Sequence, residues 1–188
     1  MADKEKIVTF GNRINYYIPS DDIEHNFLFD TCAINEIMKH SDVVEVLKKT
    51  KEYNYYISDV QMRELNGIVD RKEMKMTIDE NVRKSNENTF EFIKNINCKR
   101  VSCVALLLEN FWILDGSFRA IDEKSSTYPM FNEIHNNNLH HIKDAVIAEA
   151  TIYNNCTLVT NDSRLNKKVN KYFTGRSLMY EDFVSKII

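Results

Sequence analysis

The chain has 188 residues, with 25 Lys plus Arg set against 28 Asp plus Glu, a formal net charge of −3. That length fits one medium domain, and the charge excludes a globally basic nucleic-acid wrapper, leaving only local patches to meet phosphates. Hydrophobic residues at 43% and charged residues at 28% exclude disorder, collagen and coiled coil and allow a core that needs no disulfides.

Only four Gly and two Pro punctuate the sequence, and no Pro, Gly or Ser cluster marks a linker. The expectation is a single domain over residues 1–188. The opening MADKEKIVTF carries charges where a signal peptide would be apolar, and the longest apolar run, at 104–108, is too short to span a bilayer. The expected setting is cytoplasmic, with no membrane partner. Cys32, Cys98, Cys103 and Cys156 are scattered without a C-x-x-C pair or zinc-type spacing, and read as free thiols, mostly buried.

In chain order, Asn26-Phe27-Leu28-Phe29 is a short apolar run that stops at Asp30, as a buried strand would. Residues 33–49 have helical periodicity and end in lysines, which suit a helix C-terminus. Tyr55-Tyr56-Ile57 is a second strand, and Ser58 is a good N-cap for the helix carrying Val60, Met62, Glu64 and Leu65. A charged helical stretch at about 66–100 reads as an insertion. Residues 101–108 fit a third strand or a buried helix equally, and residues 115–138 read as polar loop with some helix. Residues 139–154 form a helix, Thr157-Leu158-Val159-Thr160 a strand, 163–173 a helix closed by Gly175, and 177–180 a last short strand. Strands alternating with helices give an α/β fold with a central parallel sheet.

In such sheets ligands bind beyond the carboxyl ends of the strands. Asp30 and Asp162 follow strands, Asp144 lies in the first turns of a helix, and Glu64 lies about two turns into another. Gathered at one edge, four carboxylates repel unless a cation or protons neutralise them, and hard oxygen donors suit Mg²⁺ or Mn²⁺. Taken singly, each acid is equally at home as a helix cap.

The words FLFDTCAI, ISDVQMREL, HIKDAVIAEA and LVTNDSRL occur in this order, and together they resemble the PIN-domain family of nucleases. The match runs through Asp30-Thr31, then Ser58 and Glu64, then the helix from Asp144 to Ala150, and finally Thr160-Asn161-Asp162. Asp59 competes with Glu64 for the second position. The resemblance implies a three-layer α/β/α fold and a metal-dependent endoribonuclease. Asp30, Glu64, Asp144 and Asp162 would be the catalytic, metal-binding quartet for Mg²⁺ or Mn²⁺. The products would carry 5′-phosphate and 3′-hydroxyl ends. The family also contains toxins, so a cognate antitoxin and a homodimer join RNA among the implied partners; a catalytically silent binding module of the same fold is the alternative.

Thr31 and Thr160 are supporting candidates that would hydrogen-bond a carboxylate or metal-bound water. Arg164, Lys167, Lys168 and Lys171 follow Asp162 with no acid between them and could guide a phosphate backbone. His140 and His141 precede Asp144, and Trp112, Tyr172 and Phe173 are candidates for base stacking; surface or core use accounts for all five equally well.

Overall fold

Runs of aromatic and β-branched residues set the strands of this protein, and acids or serines at their ends start the helices. The structure is a computed structural model that describes residues 6–10, 14–66, 68–69, 77–103, 113–114, 117–118, 125–136, 138 and 141–188. Two strands, β1 (Lys6–Phe10) and β2 (Ile14–Ile18), pair antiparallel and were not foreseen from the sequence. The first long apolar run forms β3 (Asn26–Phe29), entirely buried.

Two helices follow, α1 (Thr31–Ile37) and α2 (Ser41–Lys49). They replace the one continuous helix expected over 33–49, because the chain turns at residues 38–40 and a new helix starts after His40. Then come β4 (Asn54–Ser58) and α3 (Asp59–Leu65), where Ser58 and Gln61 form a reciprocal capping box. The stretch expected to be a helical insertion contains a short antiparallel pair, β5 (Ile68–Val69) and β6 (Thr77–Ile78), before α4 (Glu80–Ser85) and α5 (Glu87–Asn95). Phe92 and Ile93 of α5 are buried against the main sheet, so this helix is a layer of the fold itself.

The third sheet strand is β7 (Lys99–Val101), followed by the two-residue pair β8 (Ile113–Leu114) and β9 (Ser117–Phe118). The last third contains α6 (Tyr128–His135), α7 (Ile142–Tyr153), β10 (Thr157–Thr160), α8 (Ser163–Tyr172), β11 (Ser177–Met179) and α9 (Tyr180–Ile187). Asn155 (φ 51°) turns the chain out of α7, and Gly175 (φ 76°) turns it out of α8. The 104–108 run, Trp112, Leu139, His140 and part of the 66–100 stretch lie outside the described residues.

The five strands β11-β10-β3-β4-β7 form one all-parallel sheet in that order, with helices on both faces, as expected for an α/β protein of three layers. Side chains alternate between the faces. Phe27, Phe29, Tyr55, Ile57 and Val159 meet α1, α2, α5 and α9; Leu28, Tyr56, Val101 and Leu158 meet α6, α7 and α8. No helix among the described residues is long and apolar enough to cross a membrane.

Phe183 of α9 is fully buried and sets its ring edge-on to Phe27 and Phe29, with centroids 5.0 and 5.4 Å apart. Truncation leaves a cavity at the centre of that layer. Phe183→Ala is expected to cost about 3–5 kcal/mol, read as a lower urea midpoint at unchanged slope.

Candidate functional site

After the neighbouring strands β3 and β10, the chain departs to opposite faces: α1 packs into one core and α8 into the other. This divergence opens a crevice at the carboxyl ends of the two strands, the switch point at which open α/β sheets bind ligands. Asp30 and Asp162 stand in it, each the N-cap of its helix.

Asp30 is 7% exposed and fixed from three sides. Its Oδ1 accepts the Thr31 N–H at 2.6 Å, and its Oδ2 accepts the Thr160 hydroxyl at 2.9 Å and the Cys32 thiol at 2.9 Å. The Thr160 oxygen in turn accepts the N–H of Asp162 at 3.0 Å, so one hydroxyl ties the two acids together. Thr160 therefore has the carboxylate contact expected of it. Thr31 does not cap its helix; it lends Asp30 its backbone N–H, and its hydroxyl accepts from Gln61 at 3.5 Å. Cys32 is a member of the site that the sequence reading passed over. Burial, then the Asp30 charge, pushes its thiol up to about 11, so it stays protonated and donates.

Asp162 accepts the N–H groups of Arg164 and Leu165 at 2.8 and 3.3 Å, and the Arg164 guanidinium lies 3.4 Å from its other oxygen. Partial burial pushes this carboxyl up, but those donors outweigh it and hold the group below the usual range. Asp144 has the opposite balance. Burial and the negative charges of Asp30 and Asp162 raise its pKa, against a weak pull from His141, whose Nδ1 is 3.7 Å away. Asp30 and Asp162, two of the four expected acids, thus act through space on a third, Asp144.

The fourth is held apart. Glu64 forms a close ion pair with Lys143, the residue before Asp144, and so reaches the rim of the cluster through an ammonium. Asp59, its competitor in the sequence, is buried with Arg63 Nε at 3.1 Å and the Arg100 guanidinium on its other oxygen. Asp59 is committed to those two cations. Lys143 and Arg100 left no signal in the sequence, because their partners are chosen by packing; Arg63 lies one helical turn after Asp59.

A cleft of about 50 Å³ opens beside the acids, lined by His141, Asp144, Asp162, Arg164, Lys168 and Ile134. Arg164 and Lys168 bring positive charge to it, while Lys168 also donates to the Glu133 carbonyl at 3.0 Å. Lys167 is exposed, and Lys171 is drawn to the Glu133 carboxylate on α6 together with the Tyr172 hydroxyl. Phe173 packs against the α7–α8 core instead of facing solvent.

Hard carboxylate oxygens with one half-buried, poorly compensated member suit Mg²⁺ or Mn²⁺ chemically. Among the described residues, however, no group of three or more His, Cys, Asp or Glu is arranged to hold an ion directly. A carboxylate offers about four lone-pair directions, and Asp30 has already used three.

Fold and site together define a three-layer α/β protein with an acidic crevice at its topological switch point. No protein-family model matches the sequence, and no curated protein matches it.

Two outcomes follow from these contacts. Thr160→Val keeps the shape but strips Asp30 and the Asp162 N–H of a buried partner, a loss of about 1–3 kcal/mol in urea unfolding. Asp144 has a folded pKa above its ordinary 3.8, so its charge lowers stability progressively as pH rises through that window. Asp144→Asn should accordingly melt above the wild type at pH 7, with the gap closing as pH is lowered below the ordinary carboxyl value; a pH-independent gap would show that the three charges do not interact.

Proposed function

We propose that the chain is a metal-dependent endoribonuclease that hydrolyses RNA phosphodiester bonds at the switch-point crevice. The observation that carries this reading is the half-buried Asp144 beside the cleft, its pKa raised by burial and by the charges of Asp30 and Asp162. Perturbed carboxylates in a cleft, beside Arg164 and Lys168, are what phosphodiester hydrolysis asks of a protein. The four ordered sequence motifs that resemble the PIN-domain nucleases support the same reading.

Bound Mg²⁺ or Mn²⁺ supplies the Lewis acidity that makes a water nucleophilic and neutralises charge on the phosphate. The chain supplies the rest. Asp30, held by Thr160 and Cys32, is an anchor; Asp162 is fixed by two backbone N–H groups; Asp144 is the member with the fewest donors around it and spare acceptor capacity. Arg164, Lys167 and Lys168 draw the RNA backbone to the crevice. Glu64 acts from the rim, where its pair with Lys143 is available to be exchanged for a hydrated ion.

A cytoplasmic toxin neutralised by an antitoxin is one role consistent with this chemistry. The alternative is a catalytically silent RNA- or protein-binding module of the same fold.

The test is cleavage of single-stranded and folded RNAs by the purified protein with Mn²⁺. Cleavage is expected, with loss in EDTA and a drop of at least about a hundredfold in Asp30→Asn. Activity that survives both controls overturns the proposal. A silent protein whose melting temperature rises with Mn²⁺ in the wild type but not in Asp144→Asn points to the binding module.

A further inference from the structure

Gln61 is fully buried in the first turn of α3. As the third residue after Ser58 it completes the capping box: its Oε1 accepts the Ser58 N–H at 3.1 Å and the Ser58 hydroxyl at 2.7 Å. That task needs only an acceptor. Glu performs it as well as Gln, and a negative charge suits a helix N-terminus better. The other end of the side chain accounts for the amide. Nε2 donates to the Phe29 carbonyl at 2.7 Å and reaches the Thr31 hydroxyl at 3.5 Å, so it touches the residues on either side of Asp30. An ionised carboxylate has no proton to give to either.

The amide stands where β3 and β4 part. Their paired register ends at Leu28 and Tyr56. Beyond it the Gln61 carboxamide lies between the Ser58 N–H and the Phe29 carbonyl, accepting from the first and donating to the second. The N–H and C=O of a trans peptide point in opposite directions. In the peptide that joins Phe29 to Asp30, the N–H donates to the Val159 carbonyl of β10 at 2.9 Å, and the C=O accepts from Gln61. This peptide is therefore held from both sides, by a strand and by a side chain. Its orientation sets where the Asp30 side chain leaves the backbone, before Thr31, Cys32 and Thr160 fix the carboxylate oxygens.

We infer that Gln61 is a positioning residue, which aims the Asp30 carboxylate into the crevice by fixing the Phe29–Asp30 peptide and the Thr31 hydroxyl. Its effect on metal binding and cleavage rests on the proposed nuclease reading; its hold on Asp30 does not. Partners one hydrogen bond removed from a metal ligand are typically worth about 10- to 100-fold in affinity or activity.

The experiment compares Gln61→Met, which keeps the length and loses the amide, with Val60→Ala, which weakens the same helix at a buried position and keeps the amide. If Gln61→Met does not fold, Gln61→Asn replaces it, an amide too short to span both partners. The first readout is amide hydrogen exchange by NMR without metal. The Thr31 N–H, accepted by Asp30 Oδ1, should exchange at least about tenfold faster relative to the core N–H of Leu158 in Gln61→Met, and keep pace with Leu158 in Val60→Ala. The second is calorimetric titration with Mn²⁺, followed by RNA cleavage. Gln61→Met should weaken Mn²⁺ about tenfold or more and lower kcat with KM for RNA unchanged, because Arg164 and Lys168 are untouched. Thr31 exchange that merely follows Leu158 in Gln61→Met, local acceleration of the same size in Val60→Ala, or Mn²⁺ affinity unaltered in Gln61→Met or lowered equally in both variants overturns the positioning role. Accelerated Thr31 exchange confined to Gln61→Met, in a protein that neither binds Mn²⁺ nor cleaves RNA, sustains the hold on Asp30 and overturns the nuclease reading instead.

Discussion

The backbone N–H of Asp30 donates to the carbonyl of Val159 at 2.9 Å, and this bond closes the ladder between β3 and β10. It fixes the register of the central strand against its neighbour at the point where both strands end. Because side chains alternate in a strand, a slip of one residue would send Phe27 and Phe29 to the wrong core and swing Asp30 away from Thr160. The two hydrophobic layers and the acidic crevice thus depend on the same register. Apolar packing on both faces defends it, and the polar site inherits the precision.

The acids around this edge differ in how they are neutralised, and that difference ranks them. Asp59 is satisfied by two guanidiniums and Glu64 by one ammonium. Asp30 is held by hydrogen-bond donors, and Asp162 by two backbone N–H groups and the Arg164 guanidinium, which lower its pKa. Asp144 is left with an imidazole at 3.7 Å and two like charges. In the proposed reading, a cation in the adjoining cleft would offset that charge.

Much of this was legible in the sequence for physical reasons. NFLF and TLVT are fully buried strands and read as unbroken apolar or β-branched runs, while Asp30, Ser58 and Asp162 announce helix starts because short oxygen-bearing side chains cap exposed N–H groups. What failed to show were features decided at a distance. The pairing of β1 with β2 was signalled only by Gly11-Asn12 between two β-rich runs. The break between α1 and α2 needs no Gly or Pro; Ser41 and Asp42 merely restart a helix after His40. The partners of Asp59 and Glu64 could not be foreseen, since Arg100 and Lys143 are brought to them by β7 and α7 across long stretches of chain. Cys32 looked like an ordinary buried thiol until its hydrogen bond to Asp30 gave it a place in the crevice.

The central position of β3 has one more consequence, for how the molecule comes into being. The hydroxyl that braces Asp30 belongs to a residue 130 positions further along the chain. During synthesis β3 and β4 emerge early, yet one flank of β3 stays open until β10 leaves the ribosome. Contacts this distant are slow to form, and an apolar strand with a bare edge is vulnerable in the interval. The crevice cannot assemble until β10 has been made, so copies that stop before it carry Asp30 and Asp144 without Thr160 or Asp162.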